Sequence, residues 1–259
     1  MRLLYYLLIL TIFSACMATQ PDLPFAENVV VAHRGAWKKN RLPENSIAAL
    51  RQAIELGCTG SEFDVWMTAD DSLVVNHDAE YHGLPIEQTP YAGLTAFTLS
   101  NGEKLPTLRE YIQAGLQDND STQLVCELKP SEVSSERGQS IATRAVALVQ
   151  EMDAQDRVVY ISFDYDMLKT IGKIVPDVPL QYLNGDKSPD QVHADGIQGI
   201  DYHYLVFQQH PEWIEQAKKN GMILNAWTVN EASDMRRLLS QGFNYITTNE
   251  PELLLGMVK

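Results

Sequence analysis

Eight short apolar runs between residue 29 and residue 248 are each followed by an amphipathic stretch. This alternation constrains the fold more than any other feature of the chain. A strand-helix series of that length closes into a (β/α)8 TIM barrel or spreads into a doubly wound open sheet. The runs predict strands at 29–33, 61–67, 123–129, 158–163, 179–185, 199–203, 223–229 and 245–248. Helices are expected at 47–57, 106–116, 135–152, 165–174, 189–193, 211–220, 232–241 and 251–257. In the first of these, Ile47, Leu50 and Ile54 fall at helical spacing, and Gly57 marks the stop. The sixth strand is the least regular, because Tyr202 and His203 interrupt its apolar run. No GxGxxG or Walker pattern supports the open sheet, so the barrel is the expected fold.

One interruption breaks the rhythm. After the second strand, Ala69-Asp70-Asp71-Ser72 reads as a turn into a hairpin-like run at 73–77. Residues 79–104 then hold Gly, Pro and Thr without periodicity, the pattern of a small insertion over one face of the barrel. Glu103, near its end, has no part in the functional reading and is treated as neutral.

The first residues belong to a different kind of segment. Arg2 precedes an apolar core from Leu3 to Phe13, then small residues lead to Cys16. Residues 1–15 read as an export signal, too short to span a bilayer permanently. Phe13-Ser14-Ala15-Cys16 resembles a bacterial lipobox, with Phe13 where Leu is more usual. On that reading Cys16 is the lipidated first residue of an exported, membrane-anchored lipoprotein at the periplasmic or cell-surface face. Residues 16–27 are its tether, and 28–259 the barrel.

Composition excludes some partners. The net charge of −14 argues against nucleic acid and against an anionic membrane face. It also repels anionic substrates, so a phosphate ligand needs local positive groups and a cation. The composition does not define an oligomeric state. Cys58 falls at a helix end and Cys126 in an apolar strand, a placement expected of buried free thiols.

The chemistry collects at the C-terminal ends of the expected strands, where barrels of this kind carry their active sites. The first strand ends in His33-Arg34-Gly35, and the run at 73–76 ends in His77-Asp78. Glu62 and Asp64 are two residues apart on one strand and so share a face. Glu127 and Lys129 repeat that parity on the next strand. Three inward carboxylates repel one another unless a cation sits between them. Oxygen ligands without thiolates favour Ca²⁺ or Mg²⁺.

In order along the chain, His33-Arg34-Gly35, Pro43-Glu44-Asn45-Ser46, Glu62-x-Asp64, Thr68-x-Asp70 and His77-Asp78 resemble the pattern of glycerophosphodiester phosphodiesterases. Leu105-Pro106-Thr107-Leu108, Glu127-x-Lys129, Ser162-Phe163, Trp227-Thr228-Val229-Asn230 and Thr248-Asn249-x-Pro251 continue it. Departures from the usual pattern are Ser46 in place of Thr and Asp71 in place of Gly. The resemblance implies glycerophosphodiester substrates, cleaved to glycerol 3-phosphate and an alcohol. It implies one divalent metal ion, Ca²⁺ or Mg²⁺, on Glu62, Asp64 and Glu127, and an acid/base pair of His33 and His77. Arg34 and Lys129 would face the phosphate, Glu44 would line the pocket, and Trp227 would wall the glycerol backbone.

Plainer readings stand beside these. Glu44 is also a first-turn acid of the kind a helix dipole favours, Trp227 also a packed barrel residue, Asp70 a turn former, and Asp78 a prop for His77. His82, His193, His203 and His210 have no expected role, and Lys38, Lys39 and Arg41 read as a solvated loop. Rival functions are a glycosidase using paired carboxylates, a phospholipase D-like enzyme acting on lysophospholipids, and a non-catalytic lipoprotein that binds a phosphorylated ligand. The paired His and the Arg34 and Lys129 cations are superfluous to the first, and the His pair to the last.

Overall fold

A computed structural model describes residues 26–258. The export signal, Cys16 and nearly all of the tether lie outside the described residues. The first elements are β1 (Val30–Ala32), α1 (Ile47–Leu56), β2 (Gly60–Met67), β3 (Leu73–Val75), β4 (Glu80–Tyr81) and β5 (Leu84–Pro85). A 3-10 turn (Ile86–Gln88), α2 (Tyr91–Leu94), α3 (Leu108–Leu116), β6 (Gln123–Leu128) and α4 (Ser135–Glu151) follow. Next come β7 (Val158–Ser162), α5 (Tyr165–Ile174), β8 (Leu180–Tyr182), α6 (Pro189–Ala194), β9 (Gly199–His203) and α7 (Tyr204–Gln209). The chain ends with α8 (Glu212–Lys219), β10 (Ile223–Trp227), α9 (Ala232–Ser240), β11 (Tyr245–Thr248) and α10 (Pro251–Val258).

The parallel strands run β2, β6, β7, β8, β9, β10, β11, and β1 pairs with both β11 and β2. The sheet therefore closes on itself as a (β/α)8 barrel, and the open-sheet alternative is ruled out. Two expectations change in detail. The fifth barrel strand, β8, covers three residues, fewer than the run at 179–185. The short helix α7, not expected from the sequence, follows β9 directly; its Tyr204-Leu205-Val206-Phe207 start has no polar stripe to announce a helix.

Strand parity sorts the residues as expected. Phe63, Val65, Cys126 and Leu128 are buried in the large core between barrel and helices. The side chains at Val31, Val125, Val159, Ile161 and Leu183 form a separate small apolar cluster. Cys58 and Cys126 are buried free thiols.

Local rules fix the turn after β1. Gly35 has φ +81°, and a Cβ placed there would come 2.6 Å from the backbone of Ala49. Without that Cβ the turn lies against α1, and Ala36 N donates to Ala49 O at 2.9 Å. The Ser46 side chain caps α1 by accepting from Ala49 N, and Gly57 ends it in the left-handed region at φ 73°.

The inserted segment is ordered. β3 runs antiparallel on β2, β4 pairs with β5, and Trp66, Val74, Tyr81, Ile86, Leu94 and Leu105 form a core of their own. Side chains at Arg137 and Glu103 help fasten it to the barrel. Arg137 on α4 donates to Glu87 and to the carbonyls of Met67 and Thr68. Glu103 accepts from the amides of Ile47 at 2.9 Å and Ala48 at 3.2 Å. Glu103 is thus an acceptor for the free N-terminal amides of α1, a structural role the sequence did not announce.

Candidate active site

β2 and β6 pair in parallel with Asp64 opposite Glu127, so the two inward rows of acids lie side by side. The carboxylates of Glu62, Asp64 and Glu127 are buried, with one oxygen from each lying within 4.8 Å of the others. Each has a polar neighbour on one side. Glu62 Oε2 accepts from the Arg34 amide at 2.8 Å. Asp64 Oδ2 accepts from Asn45 Nδ2 at 2.7 Å. Lys129 Nζ lies 2.6 Å from Asp64 Oδ1 and 2.7 Å from Glu127 Oε1, while Glu62 Oε1 has no hydrogen-bond partner.

The electrostatics follow from this packing. Burial, reinforced by Asp64 and Glu127, pushes Glu62 well above the usual carboxylate range. Burial and the Asp64 charge push Glu127 up to about 7. For Asp64 burial works in the same direction and is the largest single influence, but the Lys129 ammonium, the His77 charge and hydrogen bonds from Lys129 and Asn45 together outweigh it and lower the group. Burial by itself would lower Lys129; its two carboxylate neighbours outweigh that and hold it charged. Full ionisation of all three acids would leave more buried negative charge than the Lys129 ammonium offsets.

The histidines face the same space. The His33 amide extends the barrel ladder by donating to Thr248 O at 2.9 Å. Its Nδ1 meets Asn249 Oδ1 at 2.8 Å, and its Nε2 lies 3.9 Å from Glu62 Oε2. An amide oxygen at Nδ1 calls for the Nδ1–H tautomer. Burial, and then the Arg34 charge, lower His33 to about 4, so the ring is neutral with Nε2 unprotonated. His77 follows β3 and is tied to β2 twice over, through Asn76 N on Asp64 O and Trp66 Nε1 on His77 O. Its Nδ1 lies 2.7 Å from Asp78 Oδ1.

Arg34 has a left-handed backbone, φ 57°, and donates from Nη1 to Glu44 Oε2 at 2.9 Å. Glu44 lies before the cap of α1, whose first turn holds no acid, so the helix-dipole reading is corrected: Glu44 partners Arg34. His33, Arg34, Glu62, His77, Glu127 and Lys129 line a cavity of about 220 Å³ whose far wall includes Phe163, Leu183 and Trp227. Trp227 is both packed and exposed to the cavity: its Nε1 donates to Asp201 O at 2.9 Å, and Phe163 meets its ring edge-on. Every predicted site residue except Cys16 is accounted for at this mouth; Glu44 reaches it through Arg34.

The sequence of the region spanning His33 to Leu253 matches the glycerophosphoryl diester phosphodiesterase family model. The chain belongs to that family. A glycerophosphodiester phosphodiesterase of Caldanaerobacter subterraneus is 32% identical over 247 residues, covering 90% of this chain and 98% of the relative. A crystal structure of a glycerophosphodiester phosphodiesterase from Parabacteroides distasonis is 39% identical with a TM-score of 0.86, covering 90% of this chain and 97% of the other. A phosphodiesterase of Oleispira antarctica, solved with the product sn-glycerol-3-phosphate, is 25% identical with a TM-score of 0.76 over 88% of this chain and 96% of the other. As a glycerophosphodiester phosphodiesterase, the chain is an enzyme, a phosphoric diester hydrolase.

The buried acids of this phosphodiesterase fit a divalent metal. They offer hard oxygen donors, Glu62 Oε1 is unpartnered, and full ionisation of the three would exceed the charge of Lys129. Sequence reasoning missed the amides that hold the site in shape. Asn45, at φ 59°, binds both the carboxylate and the amide of Asp64. Asn249 fixes His33, and Asn230 in turn accepts from the Asn249 amide at 2.9 Å. Asp201, buried on β9 and lining the cavity, also escaped notice. The one available signal was alternation on β9, where Asp201 faces in and Tyr202 out.

Proposed function

We propose that the enzyme cleaves glycerophosphodiesters to glycerol 3-phosphate and an alcohol, with one divalent cation held by Glu62, Asp64 and Glu127. The observation that carries this reading is the convergence of three buried carboxylates, two of which, Glu62 and Glu127, line one cavity with both histidines. When bound, Ca²⁺ or Mg²⁺ supplies charge that offsets the phosphodiester oxygens in the ground and transition states. Arg34 and Lys129 add fixed positive charge from the chain. His33, neutral with Nε2 free, accepts the proton of the attacking hydroxyl, which is the neighbouring hydroxyl of the substrate's own glycerol. His77, held from behind by Asp78, gives a proton to the leaving alkoxide oxygen, and water then opens the cyclic phosphate. Phe163 and Trp227 provide the apolar wall for the glycerol carbons.

Release of glycerol 3-phosphate from glycerophosphodiesters, measured with and without chelator, tests the reading. Activity should vanish on chelation and return with Ca²⁺ or Mg²⁺; full turnover in chelator would remove the cation from the mechanism.

We further propose an exported lipoprotein anchored through Cys16. The support is the apolar run that ends at that cysteine. Cys16→Ser should release the protein from the membrane fraction or leave its signal uncut. Wild-type protein that fractionates as soluble, with no lipid on its mature N-terminus, would refute the anchor.

A further inference from the structure

The proposed reaction leaves one group of the substrate without a partner. The cations face the phosphate, His33 takes the neighbouring hydroxyl, and Phe163 and Trp227 wall the glycerol carbons. The terminal hydroxyl, carried on those carbons, enters a largely apolar side of the cavity and loses its hydrogen bonds to water there.

Asp201 lies on that side. It is opposite Asn225 in the pairing of β9 with β10, two positions before Trp227, and so sits one inward layer deeper than the aromatic wall. Trp227 Nε1 donates to the Asp201 carbonyl at 2.9 Å. Ile200 and Tyr202, on either side of it, are buried in the core between barrel and helices. Alternation therefore turns the Asp201 side chain into the barrel, where the residue lines the catalytic cavity. It is only 1% exposed, and its Oδ1 has no hydrogen-bond partner among the described residues.

Its neighbours do not complete it. The Asn225 amide is committed, with Nδ2 donating to Thr247 Oγ1 at 3.1 Å and Oδ1 accepting from Ala226 N at 2.8 Å. On the other side, the register of Tyr182 with Ile200 leads to Leu183, which is apolar. A buried polar group with no partner is costly, and one that lines a cavity points to a ligand that supplies the partner. Burial, and then the Glu127 charge, push Asp201 well above the usual carboxylate range. A carboxyl that keeps its proton offers one donor and an acceptor, the same pair that a hydroxyl offers.

We propose that Asp201 sets the specificity for glycerol, by hydrogen-bonding the terminal hydroxyl that does not attack phosphorus. The proposal rests on the reaction given under the proposed function. Asp201 then separates glycerol diesters from diol diesters that keep the attacking hydroxyl and lack the terminal one. With such a diester bound, the buried carboxyl is left unpaired, and that penalty makes the discrimination steep.

The test compares glycerophosphocholine with its analogue in which hydrogen replaces the terminal hydroxyl, on the full cation-loaded enzyme. Attacking hydroxyl and leaving group are the same in both, and released choline is read; the ethanolamine pair repeats the comparison. The wild type should favour the glycerol substrate in kcat/KM by on the order of 10–100-fold, the scale of one buried hydrogen bond left unmade. Asp201→Leu should remove most of that preference, by losing activity on the glycerol substrate alone. Asp201→Asn, which keeps the shape with a donor and an acceptor, should retain most of it. Equal use of both substrates by the wild type would overturn this inference and leave the proposed function intact, and so would an Asp201→Leu variant that loses both alike. The wild-type ratio decides by itself where Asp201→Leu does not fold. No glycerol 3-phosphate from the choline, ethanolamine and glycerol diesters alike would instead overturn the proposed function.

Discussion

Glu127→Gln removes one charge from the carboxylate cluster and keeps its shape, so its consequences can be worked from the structure. Two ionised carboxylates with oxygens within 4.8 Å of each other repel by at least roughly 3 kcal/mol at an effective dielectric constant of 20. Glu127 faces the ionised Asp64. This repulsion, together with burial, raises its carboxyl from the usual 4.5 to about 7. Between those pH values the folded chain holds a proton that the unfolded chain has released. Stability without a cation is therefore highest at the acid end and falls as pH rises through the window. Carried to pH 7 and above, the loss is on the order of 3 kcal/mol, and the Lys129 contact that Gln weakens makes this an upper bound.

His33 pulls the other way. Its pKa is lowered from 6.5 to about 4, so it contributes stability that is lost as pH falls through that range. Comparing variant with wild type cancels this contribution and isolates Glu127. The assay is thermal unfolding of both proteins in chelator from pH 4.5 to 8. The two should melt together at the acid end. At pH 8 Glu127→Gln should melt higher, by about 2–10 °C given roughly 2–4 °C per kcal/mol for a domain of this size. Ca²⁺ or Mg²⁺ should then raise the wild type by mass action, raise the variant less, and restore activity to the wild type alone. A variant that melts below the wild type at pH 8 in chelator, or that gains as much from the cation, would refute the account of the cluster.

The remaining expectations are simpler. His33→Ala and His77→Ala should each lower kcat by on the order of 10²–10⁴ with little change in melting temperature, and the double variant should cost less than the product of the singles. Near-normal turnover in either single variant would reject the acid/base assignment. Glu103→Ala deprives the Ile47 and Ala48 amides of their acceptor. It should cost about 1–2 kcal/mol in denaturant unfolding; an unmoved midpoint would show that water replaces the carboxylate at no loss.

Much of this was legible because strand parity is a local rule. Glu62, Asp64, Glu127 and Lys129 could be aimed inward from their spacing, and pairing of β2 with β6 makes the two rows meet. The eight barrel strands were visible as apolar runs for the same reason. What the sequence hid is contact across distance with no periodic signature. Asn249 reaches His33 across 216 residues, and Glu103 reaches Ile47 across 56. Asn45 is nearer, 19 residues from Asp64, but its role depends on a left-handed backbone at φ 59° that no residue pattern announces. The insertion looked structureless because its core is assembled from Trp66 on β2 and scattered apolar residues around it.

The partners of the three acids explain how so much charge can be held in place before any cation arrives. The Arg34 amide binds one oxygen of Glu62, Asn45 binds one of Asp64, and Lys129 bridges Asp64 and Glu127. The acids are thereby fixed in direction on strands that are themselves buried, and cation binding then demands little reorganisation. The proton donor is attached differently. His77 follows β3, the strand that carries the chain into the insertion, and is held through Asn76 and Trp66. A change within the insertion can shift the leaving group and its proton while the acids stay where the barrel puts them. Proton delivery and cation affinity are for that reason separable: changes in the insertion should move the first, and substitutions at Glu127 the second.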